Sequence, residues 1–128
     1  MKFNKLIPEL SVTDINVSKK FYLKLGFKVM YERVEDKFVF LELEGNQIML
    51  EEINANWNTG KLTYPFGRGI NISMSISDVA KFYQTLKDKG FKFFKELMVN
   101  EYQVNDEIYQ DKEFLIQDPD GYLLRFND

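Results

Sequence analysis

The chain has 128 residues, 45% hydrophobic and 16% aromatic, which is the length of one ordinary domain with enough apolar side chain to exclude disorder. Its net charge is −3, and Lys and Arg are scattered among Asp and Glu without a basic block or stripe, so nucleic acid is not an expected partner. With no Cys and no His, disulfides, thiolate nucleophiles, imidazole bases and Cys- or His-ligated metals are excluded, leaving carboxylates, amides, hydroxyls, Lys, Arg and Tyr for site chemistry. No signal-like N-terminal segment and no run of about 18 apolar residues is present, so no membrane association is expected and a cytoplasmic location is.

Twelve Phe and seven Tyr are more than a core of this size normally needs. Two explanations stand side by side: Phe as the core filler of an AT-rich genome, or an aromatic-lined cavity.

Along the chain, an alternating strand around Ile7–Val12 leads to Asp14, an N-cap for a helix whose apolar stripe is Ile15, Phe21, Tyr22 and Leu25. Gly26 stops that helix. Strands follow at Phe27–Val34, Phe38–Leu43 and Gln47–Ile53, with Gly45 turning the last pair. The stretch Asn54–Gly69 is turn-rich yet holds Trp57, Tyr64 and Phe66, which marks it as a connector that packs over something.

The same grammar then recurs. Asp78 caps a second helix with stripe Val79, Phe82, Tyr83 and Leu86, Gly90 stops it, and strands are predicted from Phe91–Phe94 onward toward Val104, at Glu113–Gln117 and at Tyr122–Asn127. Asp14 and Asp78, Gly26 and Gly90, and Phe27 and Phe91 are each 64 residues apart, half the chain. Lys95–Asp111 is acidic and weakly patterned, either a plain solvated hairpin or a rim that closes over a ligand. Near the end, Asp118, Pro119 and Gly121 fit a type I turn. Beyond it Tyr122, Leu124 and Phe126 point one way, while Leu123 and Arg125 point the other.

Two tandem βαβββ units, with PELSVTD near the start, FYLKLGF in the first helix, PFGRGI at the second unit and FLIQDPDGYLLRF at the end, resemble the vicinal oxygen chelate superfamily. The likeness covers essentially the whole chain and is greatest to its glyoxalase/bleomycin-resistance branch. It implies an α+β fold in one domain, with units at 1–53 and 69–128 joined by a connector at 54–68. In that fold the curled mixed sheets form a cup and the helices cover the outer faces. Enzymes of the family hold a divalent metal in the cup through His, Glu or Gln on the first and last strand of each unit. The matching positions here are Ile7, Met49, Asn71 and Arg125, and Arg125 stands where the final metal-binding carboxylate is common. A hydrocarbon, a thioether, an amide and a cation are not ligands for such a metal. A slip of two along the strands adds only Glu9 and Glu51. Metal-dependent chemistry is therefore not expected, and no cofactor, metal or catalytic residue is assigned.

By strand alternation the concave face carries Ile7, Glu9, Ser11, Gln47, Met49, Glu51, Asn71, Ser73, Ser75, Leu123 and Arg125. The opposite parity gives a helix-facing core of Leu10, Val12, Ile48, Leu50, Ile72, Met74, Ile76, Leu124 and Phe126. The resemblance to bleomycin-resistance proteins implies a non-catalytic homodimer that sequesters a cationic aromatic compound such as that antibiotic in a cleft between subunits. Its candidate ligand-binding residues are Glu9, Phe38, Phe40, Met49, Glu51, Trp57, Phe66, Asn71 and Arg125. Each Glu is equally readable as a solvated or ion-paired surface group. Arg125 is expected to pair with Glu51 or Glu9, or else to hold a ligand carboxylate or phosphate. The alternatives are a metal-independent enzyme using Glu9 or Glu51 as a general base, and a module binding an unknown metabolite.

Overall fold

A computed structural model describes all residues, Met1–Asp128. The elements run β1 (Glu9–Val12), α1 (Ile15–Leu25), β2 (Lys28–Arg33), a 3₁₀ turn (Val34–Asp36), β3 (Phe38–Leu43), β4 (Asn46–Glu52), β5 (Asn71–Ser75), α2 (Val79–Asp88), β6 (Lys95–Val104), β7 (Glu107–Gln117) and β8 (Leu123–Asn127). They form two four-stranded mixed sheets, ordered β1-β4-β3-β2 and β5-β8-β7-β6, each with one helix: the α+β architecture of tandem βαβββ units. Contacts divide the chain into Met1–Phe66 with Pro119–Gly121, and Gly67–Asp118 with Tyr122–Asp128. No helix is long and apolar enough to cross a membrane.

Both helices begin as the sequence dictates. The Asp14 carboxylate accepts the N–H groups of Asn16 and Val17, and that of Asp78 accepts the N–H of Lys81, satisfying donors that a helix start leaves orphaned. Glu52 reaches the same end of α1, its Oε2 accepting the Ile15 N–H at 3.1 Å. That hydrogen bond, and then the Lys37 ammonium, hold the Glu52 carboxyl below the usual carboxylate range. Gly26, at φ 121°, donates its N–H to the Tyr22 and Leu23 carbonyls and closes α1 in a conformation that other residues rarely adopt.

Each helix covers one face of its own sheet. In the first unit Tyr22 and Leu25 are buried, as are Leu10, Val12, Val39, Leu41, Ile48 and Leu50 across the sheet. In the second, Phe82 of α2 packs on Phe114 and Phe126 with ring centroids 5.8 and 5.2 Å apart, and Met74, Ile76, Ile116 and Leu124 are buried. The predicted helix-facing parity is thus realised, with Ile72 only half-buried.

Three expectations need correction. Phe91–Phe94 is not a strand. The Phe91 N–H bonds the Leu86 carbonyl to finish α2, and Phe93 packs its ring against Tyr83 and Phe114, so this segment is spent on capping and side-chain packing. Pairing starts at Lys95. The acidic stretch is a regular hairpin, turned at Asn105–Asp106 with Asn105 at φ 57°, so β7 begins at Glu107 rather than Glu113. Val34 leaves the predicted strand for the 3₁₀ turn.

The turn residues Pro119–Gly121 are tied to the first unit. Asp120, buried, accepts the Thr13 hydroxyl at 2.5 Å and the Thr13 N–H at 3.1 Å, while its own carbonyl accepts the Phe66 N–H at 2.8 Å. Gly121 has φ 94°, and a Cβ there would meet Pro65 Cβ at 2.5 Å, so only glycine fits. Asp120→Ala removes the charged acceptor of the Thr13 N–H and hydroxyl and is expected to lower unfolding stability by about 1–3 kcal/mol in urea titrations. A change below about 0.5 kcal/mol, the range of an ordinary surface substitution, would show that the turn is not an anchor.

Candidate functional site

Strand register builds the helix-free face of the first sheet row by row. β2, β3, β4 and β1 contribute Arg33, Phe38, Glu51 and Ser11 to one row, and Tyr31, Phe40, Met49 and Glu9 to the next. Sequence parity therefore brings Glu9, Phe38, Phe40, Met49 and Glu51 together. The rings form a connected set, with Tyr31 stacked on Phe40 at 5.4 Å and near Phe38 at 5.7 Å, and Phe3 tilted onto Phe40 at 5.3 Å.

Charge sits at both ends of these rows. The Arg33 guanidinium lies over the Phe38 ring, 3.9 Å from its centroid, and its Nε meets Asp36 at 3.1 Å. At the other end, burial pushes the Glu9 carboxyl above its ordinary value. The neighbouring Glu51 charge raises it further, and Arg33 partly offsets both. Glu51 accepts a hydrogen bond from the Asn54 amide, which fixes the orientation of its carboxylate. Gln47 secures the entry segment over this end of the sheet. Its Oε1 accepts the Asn4 N–H, and its Nε2 donates to the Lys2 carbonyl and to Glu42, each at 2.8 Å.

Phe38 and Phe40 are buried, at 3% and 0% exposure, so Phe3, Tyr31 and Arg33 are the groups of this aromatic set that a ligand meets first. None of those three was selected from sequence. The signal was hidden by a β-bulge between Val29 and Tyr31, which lets Val29 pair with Leu41 on the helix side while Tyr31 and Arg33 turn to the opposite face. Periodicity alone places 29, 31 and 33 on one side.

The remaining candidates lie elsewhere. Trp57 is on a loop after β4 and is 62% exposed. Phe66 is buried and lines a hollow with Thr13, Asp14, Val17, Tyr64, Pro119 and Asp120, which includes neither Glu9 nor Glu51. Asn71 and Arg125 belong to the helix-free face of the second sheet, whose rows are Gln117, Leu123, Asn71, then Lys95, Leu115, Arg125, Ser73, then Met98, Glu113, Asn127, Ser75. The Arg125 guanidinium pairs with Glu113, Nη1 to Oε2 at 3.8 Å, and not with Glu9 or Glu51. Glu113 is two residues from Leu115, Arg125's register partner, and strand alternation keeps both on one face.

The donor set does not fit a divalent transition metal. Met49, Asn71 and Arg125 stand on helix-free faces as a thioether, an amide and a cation, Ile7 precedes β1, and no three His, Cys, Asp or Glu side chains are placed to share an ion.

Several known proteins are similar to it. No curated protein matches significantly. Among solved structures, a glyoxalase/bleomycin resistance protein/dioxygenase superfamily member from Vibrio splendidus is 36% identical over 93% of each chain, with a TM-score of 0.44. A glyoxalase/bleomycin resistance protein/dioxygenase from Alicyclobacillus acidocaldarius is 22% identical over 97% of this chain and 89% of its own, with a TM-score of 0.69. TioX from Micromonospora sp. is 15% identical over 98% of both chains, with a TM-score of 0.76. The last two share the fold. The sequence profile of the Glyoxalase/Bleomycin resistance protein/Dioxygenase superfamily matches residues 6–126, and the chain belongs to that superfamily.

Proposed function

We propose that this chain is a non-catalytic binding protein of the bleomycin-resistance kind, which takes a cationic aromatic compound on the helix-free face of its first unit. One observation carries the reading: two carboxylates, Glu9 and Glu51, adjoin a row of rings on which the chain already stacks a cation of its own, Arg33 over Phe38. A ligand cation has the same two sources of attraction there, a ring quadrupole and a carboxylate held partly out of water. Met49 between the carboxylates offers an adaptable apolar contact, and the exposed Trp57 is a further ring for a large ligand to recruit.

The proposed active form is a homodimer. Beyond the reach of β8, β6 and β7 continue as a two-stranded arm that exposes Val99, Tyr102, Val104, Ile108 and Tyr109. Such ribbons are marginal alone in water, and apolar groups of this number are normally covered. A second copy of the chain is the proposed cover.

A second reading has its own support. A carboxyl raised by burial and by a neighbouring carboxylate is the usual construction of a general acid or base, which favours Glu9 over Glu51 for proton transfer in a metal-independent enzyme. The two readings separate by substitution. Under the binding reading Glu9→Gln weakens a cationic ligand by an amount comparable to Glu51→Gln. Under the catalytic one it abolishes turnover while leaving substrate affinity nearly intact.

Calorimetric titration with metal-free and Cu²⁺-loaded bleomycin, with Trp57 fluorescence followed alongside, is expected to give saturable binding near one drug per subunit of a dimer. Glu51→Gln is expected to weaken that binding about tenfold, as loss of a charge-assisted contact does. A flat titration would remove the drug-binding reading, and a monomer by gel filtration would remove the dimer.

Acid weakens the same binding, because a cation needs Glu9 ionised and burial raises its carboxyl above the ordinary value. The linkage to stability runs in the opposite sense. A raised folded-state pKa favours folding at low pH, and that contribution is lost as pH rises through the folded value. Glu9→Gln should therefore raise the melting temperature at about pH 7.5 and have little effect at about pH 4, whereas a uniform effect at both would remove Glu9's titration as the cause.

A further inference from the structure

We propose that the helix-free face of the second unit binds the carboxylate group of an organic acid, gripped between Arg125 and Lys95 above Leu115. This deepens the binding reading, from which it takes only the premise that the chain holds small molecules, and it gives Arg125 and Asn71 a chemistry that the first unit does not supply.

Arg125 is under-coordinated. Its Nε is shut off from solvent without an acceptor, and its ion pair with Glu113, at 3.8 Å, is about an ångström longer than a charge-assisted hydrogen bond. Glu113 cannot easily close that gap, because its other oxygen is engaged by the Asn100 amide. A shielded guanidinium N–H without a partner is an unfavourable state, and a rotation of the part-exposed side chain toward an incoming oxyanion relieves it.

The surroundings complete a grip. Lys95 shares Arg125's row two strands away, a backbone separation of roughly 10 Å that the two long side chains span from either side. Between them Leu115, buried, is an apolar floor. Ser73, next to Arg125 in the row, accepts the Asn127 amide at 2.7 Å through its Oγ, which leaves its hydroxyl hydrogen to donate. Asn71 adds an amide on the same face, and Met98 lies beside the floor. All of these line one depression of about 660 Å³, large enough for a ring or short chain behind the charged group.

Charge selects the kind of anion. Glu101, Asp111, Glu113 and Asp128 line the same depression, four carboxylates against two cations. The repulsion from this net negative rim scales with the ligand's charge, so a monoanionic carboxylate meets about half of what a dianion such as phosphate meets, and only a ligand seated directly between Arg125 and Lys95 overcomes it. Asp111 Oδ1 is also buried without a partner, an acceptor placed for an N–H or O–H elsewhere on the ligand.

The test is an amide-resolved NMR titration of the full chain at constant ionic strength with benzoate, inorganic phosphate and benzyltrimethylammonium as separate probes. Benzoate is expected to shift the amides of Ser73, Lys95 and Arg125 saturably, more tightly than phosphate does. Arg125→Gln should weaken it about tenfold. Arg125 is 39% exposed, so this variant should fold, and Lys95→Met, at an exposed position, is the second variant expected to weaken benzoate. No saturable shift on this face, phosphate tighter than benzoate, or unchanged affinity in both variants would overturn the proposal. Benzyltrimethylammonium shifts around Glu9 and Glu51 without benzoate binding would leave the first-unit reading standing and sink this one. Benzoate binding without the cation's would do the reverse.

Discussion

The arrangement depends on one pairing made twice: the first strand of each unit lies parallel to its last, β1 to β4 and β5 to β8. Antiparallel neighbours can be joined by two residues, but a parallel pair needs a crossover, and here the crossover runs through the helix and the other two strands of the unit. The helix must then lie on a single face of the sheet. That face is obliged to be apolar, and alternate residues of the strands it covers are committed to it. What remains is a face with no helix, freed from core packing and open to charge.

Both units use that freedom, to opposite effect. In the first the free face carries Glu9 and Glu51; in the second the corresponding central strand carries Arg125, with Lys95 across Leu115. The outer strand is bulged in each, between Val29 and Tyr31 and between Lys95 and Met98. An extra residue reverses parity along the rest of a strand. In β2 it moves Tyr31 and Arg33 to the ring cluster. In β6 it puts Met98 in line with Glu113 on the face where Lys95 already lies. One frame, repeated, thus presents a carboxylate-and-ring surface and one on which a guanidinium and an amine lie among carboxylates.

Much of this was legible because it rests on period-two alternation and on caps. The 64-residue repeat, both Asp N-caps, the Gly26 stop and the split between Leu10, Ile48, Leu50 and Glu9, Met49, Glu51 follow from side-chain chemistry along single strands. The parts that were not legible depend on more than one strand at once. A bulge has no composition of its own, so Tyr31 and Arg33 stayed unassigned. The hairpin of β6 and β7 is wetted on both faces, so no alternation marks it, although Asn105–Asp106 is a turn signal in hindsight. Phe66 belongs to a loop, where parity does not apply, and its burial is set by the turn at Asp120, half the chain away.

A surface already covered by the chain's own groups still has to admit a ligand, and the magnitudes permit it. Arg33 over Phe38 is an exposed cation–π contact of about 0.5–1 kcal/mol. Its ion pair with Asp36 is solvent-facing and is worth about 0.2–1 kcal/mol. Arg33 is therefore loosely held, and swinging it aside costs less than one good desolvated cation contact returns. Phe3 is tied more firmly, since its flanking segment makes hydrogen bonds through Asn4 and Lys2 to Gln47, yet its ring is half exposed. A ligand therefore gains most by displacing the guanidinium and stacking beside Phe3. In that position a ring extends the Phe3–Phe40–Tyr31 set, and a cation takes the place that Arg33 leaves, next to Glu51 in the same row.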